Sequence, residues 1–253
     1  MTDHLKGLLI TTIGVLFVVP DSLFVRLIDA DPMVTAFWRA LFSGAIVLII
    51  LLAWQGTRGF RAVLGTGWIG MVYILLIGST APAFVMAVTH TSVANVVFIF
   101  ACMPIFASLF SRLLMAEPIR LRMVVTMIVV LFGLGIIAYG SGTSEIASWK
   151  GDLWALYIAM AYALALTLVR QLRAIPMIPA IPIAFLGAAL ILGLITEPLP
   201  ALEANWPLFL GHGAVIAVAT CLLTIGPRYI SSAEVALLVL LESVLAPLLV
   251  WLV

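Results

Sequence analysis

Four ionisable side chains interrupt long apolar runs: Asp21, Arg39, His212 and Glu242. Charge inside such a run is costly in lipid, and residues of this kind turn inward to pair with one another or to bind something. Asp21 stands seven residues before Ile28, and Arg39 seven residues after Pro32. Two helices joined by the short connection between them hold both groups at one depth, about 10 Å from that connection. A carboxylate and a guanidinium there offset part of each other's desolvation. The pair either locks two helices together or grips the amino or carboxylate end of a ligand. Glu242 lies about nine residues into the last apolar run. It reads either as an acid hydrogen-bonded to backbone freed near Pro247, or as a site for a proton or a ligand's ammonium. His212 reads as a hydrogen-bonded packing residue or as a pH-sensitive switch.

Polar, aromatic and thioether side chains at mid-depth extend the candidate ligand contacts to Ser22, Trp38, Ser79, Asn95, Phe98, Met103 and Tyr157, with Thr80 and Tyr162 beside them. Such a set suits a largely apolar ligand held by a few fixed polar contacts. Pro82, Pro104 and Pro247 fall within apolar runs. Each removes a backbone donor and bends its helix, which makes it a candidate hinge. Other chemistries lack their residues. No glycine-rich phosphate loop or His-Glu-x-x-His pattern is present, and neither His90 nor His212 has an obvious nucleophile partner. Cys102 and Cys221 both lie in apolar runs without metal-ligand company, so we expect no metal, no cofactor and no disulfide framework.

The elements that must position these residues follow from composition. The chain of 253 residues is 65% hydrophobic and 9% charged, far from the half-apolar, quarter-charged balance of soluble domains. This composition predicts an all-α polytopic membrane protein. Nine spans are expected, with boundaries good to a few residues: Leu5–Ile28, Pro32–Trp54, Gly67–Val88, Ser92–Leu114, Leu121–Tyr139, Trp149–Val169, Met177–Thr196, Trp206–Pro227 and Ala233–Val253. Lys6 ahead of Leu8–Val19 has the look of a signal peptide. No small-x-small cleavage site follows, so we read it as a first transmembrane helix. Pro32, Pro176 and Pro207 sit where spans open, a position at which the missing N–H costs nothing. Loops of no more than roughly a dozen residues leave no soluble domain to carry separate chemistry. A net charge of +1 gives no reason to expect a nucleic-acid partner.

Alternate connections carry nine basic residues: Lys6, Arg58, Arg61, Arg112, Arg120, Arg122, Arg170, Arg173 and Arg228. The opposite connections carry Arg26 and Lys150, with Asp29, Asp31, Glu145, Asp152, Glu197 and Glu203. The positive-inside rule therefore puts the N-terminus in the cytoplasm. Trp54, Trp68, Trp149 and Trp206 lie near span ends, as interfacial anchors do. There is also a faint repeat. Lys6-Gly7, Val25-Arg26 and Pro32-Met33 recur 144 residues later, and Ser92, Ala94 and Val96 recur 139 residues later. On the second offset Met103 matches Glu242. Residues 1–140 form one unit of five spans and residues 149–253 a second. An odd count forces the second unit to enter the membrane upside down, an arrangement that places a ligand site between the units. The match to the fifth span falls beyond Val253. The tenth span is therefore missing here, through either a truncated chain or a natural nine-span protein.

Three segments carry a resemblance. "HTSVANVVFIFACMPIFASLFSRLLMAEP", "ISSAEVALLVLLESVLAPLLVWL" and "AFWRALFSG" resemble the fourth-, ninth- and second-helix patterns of the EamA branch of the drug/metabolite transporter superfamily. The usual Leu-Leu-Glu-Pro of the ninth helix reads Leu240-Leu241-Glu242-Ser243 here, with a proline only at Pro247. The first-helix motif has become Val19-Pro20-Asp21-Ser22. The resemblance implies ten helices in two inverted five-helix halves and alternating access to a central cavity. It further implies export of a small metabolite across a bacterial inner membrane. The nearest likeness is to exporters of amino acids, including neutral and aromatic ones. A multidrug exporter coupled to protons through a membrane carboxylate is the alternative, and a membrane-embedded enzyme or scaffold the reading from another class. Oligomeric state is not legible.

Overall fold

Local signals in the chain account for where its helices start and stop. The computed structural model describes residues 2–119, 121–140 and 149–252, and among them every regular element is helical. Twelve α-helices follow in order: α1 (Asp3–Val18), α2 (Asp21–Leu27), α3 (Pro32–Gln55), α4 (Arg58–Leu64), α5 (Gly67–His90), α6 (Val93–Phe100), α7 (Met103–Met115), α8 (Leu121–Gly140), α9 (Trp149–Gln171), α10 (Ala180–Ile195), α11 (Leu202–Ile225) and α12 (Ser232–Leu252). Thr2 caps α1 by accepting from the Leu5 N–H. Asp31 caps α3, accepting from Met33 N at 2.8 Å and Val34 N at 3.4 Å, and Pro32 occupies the first turn. α7 ends on Ala116 in the left-handed conformation, φ 54°, and its N–H returns to the Ser111 carbonyl.

Among the described residues six runs are long and apolar enough to cross a membrane: Asp3–Leu27, Pro32–Gln55, Gly67–His90, Phe98–Met115, Trp149–Gln171 and Leu199–Arg228. Leu121–Gly133 and Ala180–Ile195 are shorter apolar helices. Several boundaries differ from the sequence reading. The first span is two helices, broken at Val19-Pro20, and the fourth is two helices, broken at Ala101-Cys102. Pro104 therefore lies in the first turn of α7 rather than in the middle of a continuous helix. Pro207 lies inside α11, because that helix begins at Leu202 and not at the proline. Residues 58–64, read as connection, form the short helix α4. Pro82 is accommodated within an unbroken α5. Pro247 belongs to α12, but its side chain, like Arg120 and Glu145, lies outside the described residues.

The helices pack in a closed pattern. α5 lies along α9, α3 along α10 and α11, α1 along α11 and α12, and α7 along α9 and α12; α10 also meets α5. Glycines set the closest crossings, as small residues do where helices associate in lipid. Gly78 faces the Ala184 carbonyl, and Gly213 faces Phe42 and the Ser43 N–H. Large apolar side chains such as Ile49, Leu75, Phe132, Leu190 and Leu194 point outward. Trp54, Trp68, Trp149 and Trp206 are exposed near their helix ends.

Candidate functional site

The matched spacing of Asp21 and Arg39 becomes a direct contact. Arg39 Nε donates to Asp21 Oδ1 at 3.1 Å, and Nη2 donates to Oδ2 at 2.7 Å. Both residues are buried. This is the bidentate arrangement in which a guanidinium and a carboxylate interact most strongly. Asp21 is the first residue of α2, so the break at Pro20 sets where its carboxylate stands. A third partner comes from α11: His212 Nε2 lies 2.5 Å from Asp21 Oδ1. A carboxylate oxygen accepts, so Nε2 carries the hydrogen. His212 is fully buried, its ring stacks on Phe24 at 5.3 Å, and its Nδ1 has no hydrogen-bond partner among the described residues. One carboxylate thus joins α2, α3 and α11. Ser43 Oγ strengthens the same junction by donating to the Gly213 carbonyl at 3.0 Å.

Beside this junction lies a cavity of about 90 Å³. Asp21, Arg39 and Glu242 supply its charges, Thr80, Thr220 and Tyr162 its hydroxyls, and Phe84, Phe100, Phe185 and Met103 much of its remaining wall. Val18, Ile77, Ile158, Ile216, Leu223 and Val239 complete it. A water needs about 10–15 Å³ of such space, so a space of about 90 Å³ has room for several waters. Arg39 Nη1 makes no hydrogen bond to Asp21, and the Arg39 guanidinium stands 5.8 Å from the Phe84 ring centre. Glu242 makes no hydrogen bond among the described residues. Both helix breaks open onto the cavity: Val18 and Asp21 flank the first, Phe100 and Met103 the second.

Of the residues singled out in the sequence, Asp21, Arg39, Met103 and Glu242 line the cavity, and Thr80 and Tyr162 join them. His212 stands behind Asp21. Ser22 is buried next to it with an unpartnered hydroxyl. The others lie elsewhere. Trp38 donates to the Pro198 carbonyl at 2.9 Å and packs with Phe42 and Phe209. Ser79 accepts from Tyr157 Oη at 2.6 Å and donates to the Leu76 carbonyl. Asn95 donates to Thr91 Oγ1 at 3.3 Å. Phe98 is exposed and lines a separate lateral recess with Trp149 and Asp152. Phe84, Phe185 and Thr220 were not singled out. Their signal was available only as apolar or hydroxyl residues in helices without a distinct polar face. Among the described residues no cluster of His, Cys, Asp or Glu could hold a metal ion.

Comparison with known proteins gives three results. The model of the EamA-like transporter family matches residues 5–139. No curated protein matches the chain. Fifteen chains of solved structures match. One of them, described as the crystal structure of a protein, is 18% identical with a TM-score of 0.79, over 98% of this chain and 88% of that one. At that identity the likeness is one of fold.

Proposed function

The chain belongs to the EamA-like transporter family, whose members are membrane transporters of small molecules rather than enzymes, and from that premise we propose a secondary transporter that exports amino acids by alternating access. The units are residues 1–140 and 149–253, inverted with respect to each other, with nine crossings in this chain and a cytoplasmic N-terminus in a bacterial inner membrane. One observation carries the reading. Ten of the cavity's sixteen lining residues fall into five pairs related by the two sequence offsets. Val18 pairs with Tyr162 at 144; Ile77 with Ile216, Phe84 with Leu223, Phe100 with Val239 and Met103 with Glu242 pair at 139. A cavity walled by equivalent positions of two inverted units is where alternating access places a ligand.

Within it, Arg39 offers the donor edge that Asp21 leaves free, and Glu242 offers an acceptor. A carboxylate on Arg39 and an ammonium on Glu242 fix a zwitterion's two ends, and the aromatic and aliphatic wall takes its side chain. Rocking of the units exposes this cavity to each side of the membrane in turn. Protons are a candidate coupling partner through Glu242. A second reading, a multidrug exporter, is favoured by the same carboxylate standing in an aromatic wall, which suits a hydrophobic cation. Counterflow of radiolabelled amino acids in proteoliposomes, across a pH gradient and competed with a metabolite panel, separates the two. Uptake competed by neutral and aromatic amino acids is expected. Competition by hydrophobic cations alone moves the assignment to the second reading, and silence across the panel removes both.

A further inference from the structure

The buried face of α7 does not end at the central cavity. It begins with Met103 there and runs outward through Ala107 to Ser108 and Ser111. At helical rise the two serines lie about 7.5 and 12 Å further along the axis. They open into a larger space of about 530 Å³, walled by the ends of α7, α8, α9 and α12 and by His4. That volume falls in the range of small-molecule sites.

Its walls differ in kind from those of the central cavity. Among the described residues four charged side chains stand around it: Glu117 and Arg122 at the junction of α7 and α8, Arg170 on α9 and Glu234 on α12. They form two ion pairs. Arg170 Nε donates to Glu117 Oε1 at 3.2 Å, and its Nη1 to the Pro227 carbonyl at 3.0 Å. Arg122 Nη2 stands 3.8 Å from Glu234 Oε1, while Glu234 Oε2 accepts from Ser231 N and Oγ, each at 2.9 Å. Some capacity is left over. The Arg122 side chain is 66% exposed and held by that one long contact. Glu117 Oε2 accepts no hydrogen bond among the described residues. Ser111 Oγ is buried and has no hydrogen-bond partner among the described residues. A buried hydroxyl without a partner is uncommon and calls for a ligand or a water.

Among the described residues the two carboxylates and two guanidiniums balance, with both signs on the wall. A simple anion entering meets two carboxylates, and a simple cation meets two guanidiniums. A molecule with one charge of each sign meets neither penalty, since each end finds its opposite. We propose that this vestibule is a second ligand site, which holds a small polar zwitterion with its anionic end on Arg122 and the Ser111 hydroxyl and its cationic end on Glu117. The site needs no transport to be occupied, and it stands apart from the central cavity.

Thiol labelling tests it. Ser108→Cys places a reporter on the wall, and the unsubstituted protein gives the background from Cys102 and Cys221. The protein is held in phosphatidylcholine nanodiscs and labelled with a polar thiosulfonate in the presence of alanine, propionate or ethylamine. Propionate is alanine without its amino group and ethylamine is alanine without its carboxylate, so the three carry both charges, the anion alone or the cation alone. Alanine is expected to slow labelling several-fold, with little effect from the other two. Arg122→Gln is expected to weaken that protection about fivefold. Ser111→Ala removes the orphan hydroxyl, so it is expected to weaken protection with no loss of thermal stability, which separates lost binding from lost folding. Equal labelling with all three probes overturns the proposal, as does protection by propionate or ethylamine equal to that by alanine. Protection that appears without alanine once phosphatidylethanolamine is added assigns the same chemistry to a lipid headgroup and overturns the solute site. Labelling is read without a gradient, so silence in counterflow leaves this result standing, and absence of protection leaves the transport reading standing.

Discussion

Asp21 and Glu242 line one cavity and yet have opposite surroundings. Asp21 accepts three hydrogen bonds, two from Arg39 and one from His212, and Glu242 accepts none among the described residues. Asp21 is therefore committed to holding helices, and Glu242 is available. Asp21→Asn leaves the Arg39 guanidinium buried with half its partnership and presents an amide to His212. A loss of about 3–5 kcal/mol in stability is expected, read as a fall in Tm in detergent. Glu242→Gln is expected to leave Tm within the range of a typical surface change, about 0.5 kcal/mol, and to abolish or redirect counterflow. If transport and its pH dependence survive Glu242→Gln, the carboxylate has no part in the mechanism. The Asp21–Arg39 contact was legible because a short connection fixes two neighbouring helices in depth. The bond to His212 spans 191 positions of sequence. It depends on how α11 is rotated about its axis, and a helix that is apolar on all sides carries no mark of that rotation. The same limit hid the bond from Trp38 to the Pro198 carbonyl and the one from Tyr157 to Ser79.

Both broken spans come apart next to a proline, and both breaks face the cavity. Pro104 lacks the N–H that would bond back to Phe100, and the hydrogen bonds just before it tighten: Ala101 N donates to the Phe98 carbonyl and Cys102 N to that of Ile99. A gap in the helix at this depth is tolerated where it borders protein or a cavity and not lipid. Pro104→Ala restores a donor and lets the ladder run from α6 into α7. The expected result is a gain of about 1 kcal/mol in stability together with slower counterflow, because Met103 and Phe100 are then carried by one rigid helix. Slower transport without any gain in Tm would mean that the break has another cause. The proline was plain in the sequence, and its consequence was only half legible. Sequence alone does not distinguish a proline that bends a helix, as Pro82 sits within α5, from one that starts a new one. The difference lies in what packs against the freed carbonyl.

The two offsets that relate the cavity's walls also relate distant crossings. Gly7 on α1 packs against Tyr229 and Ile230, just ahead of α12, and a Cβ built on it would lie 2.7 Å from each. Gly151 on α9 packs against His90 and Thr91, just ahead of α6, again with contacts at 2.7 Å. Gly151 follows Gly7 by 144, and Tyr229-Ile230 follow His90-Thr91 by 139, the spacings already visible as a faint sequence repeat. The helix pairs agree: exchanging α1 with α9, α3 with α10, α5 with α11 and α7 with α12 turns the α1–α11 packing into α9–α5, and α3–α11 into α10–α5. What was illegible in the sequence was the strength of this relation, because most equivalent positions carry interchangeable apolar residues, as Ile77 and Ile216 or Phe84 and Leu223 do. Gly7 and Gly151 keep the same residue at crossings where size is limiting. Gly7→Ala and Gly151→Ala each force a methyl into a filled crossing, with an expected cost of about 1–3 kcal/mol and of similar size for both. Gly187→Ala, on α10 with open space around it, is the control, with an expected gain of about 0.5–1 kcal/mol from helix propensity. Thermal unfolding of the three variants in one detergent decides the matter. Matched losses at Gly7 and Gly151 are the outcome for two inverted units meeting at equivalent crossings. A clear loss at one with none at the other breaks the equivalence, and with it the basis for treating the cavity as lying between two halves.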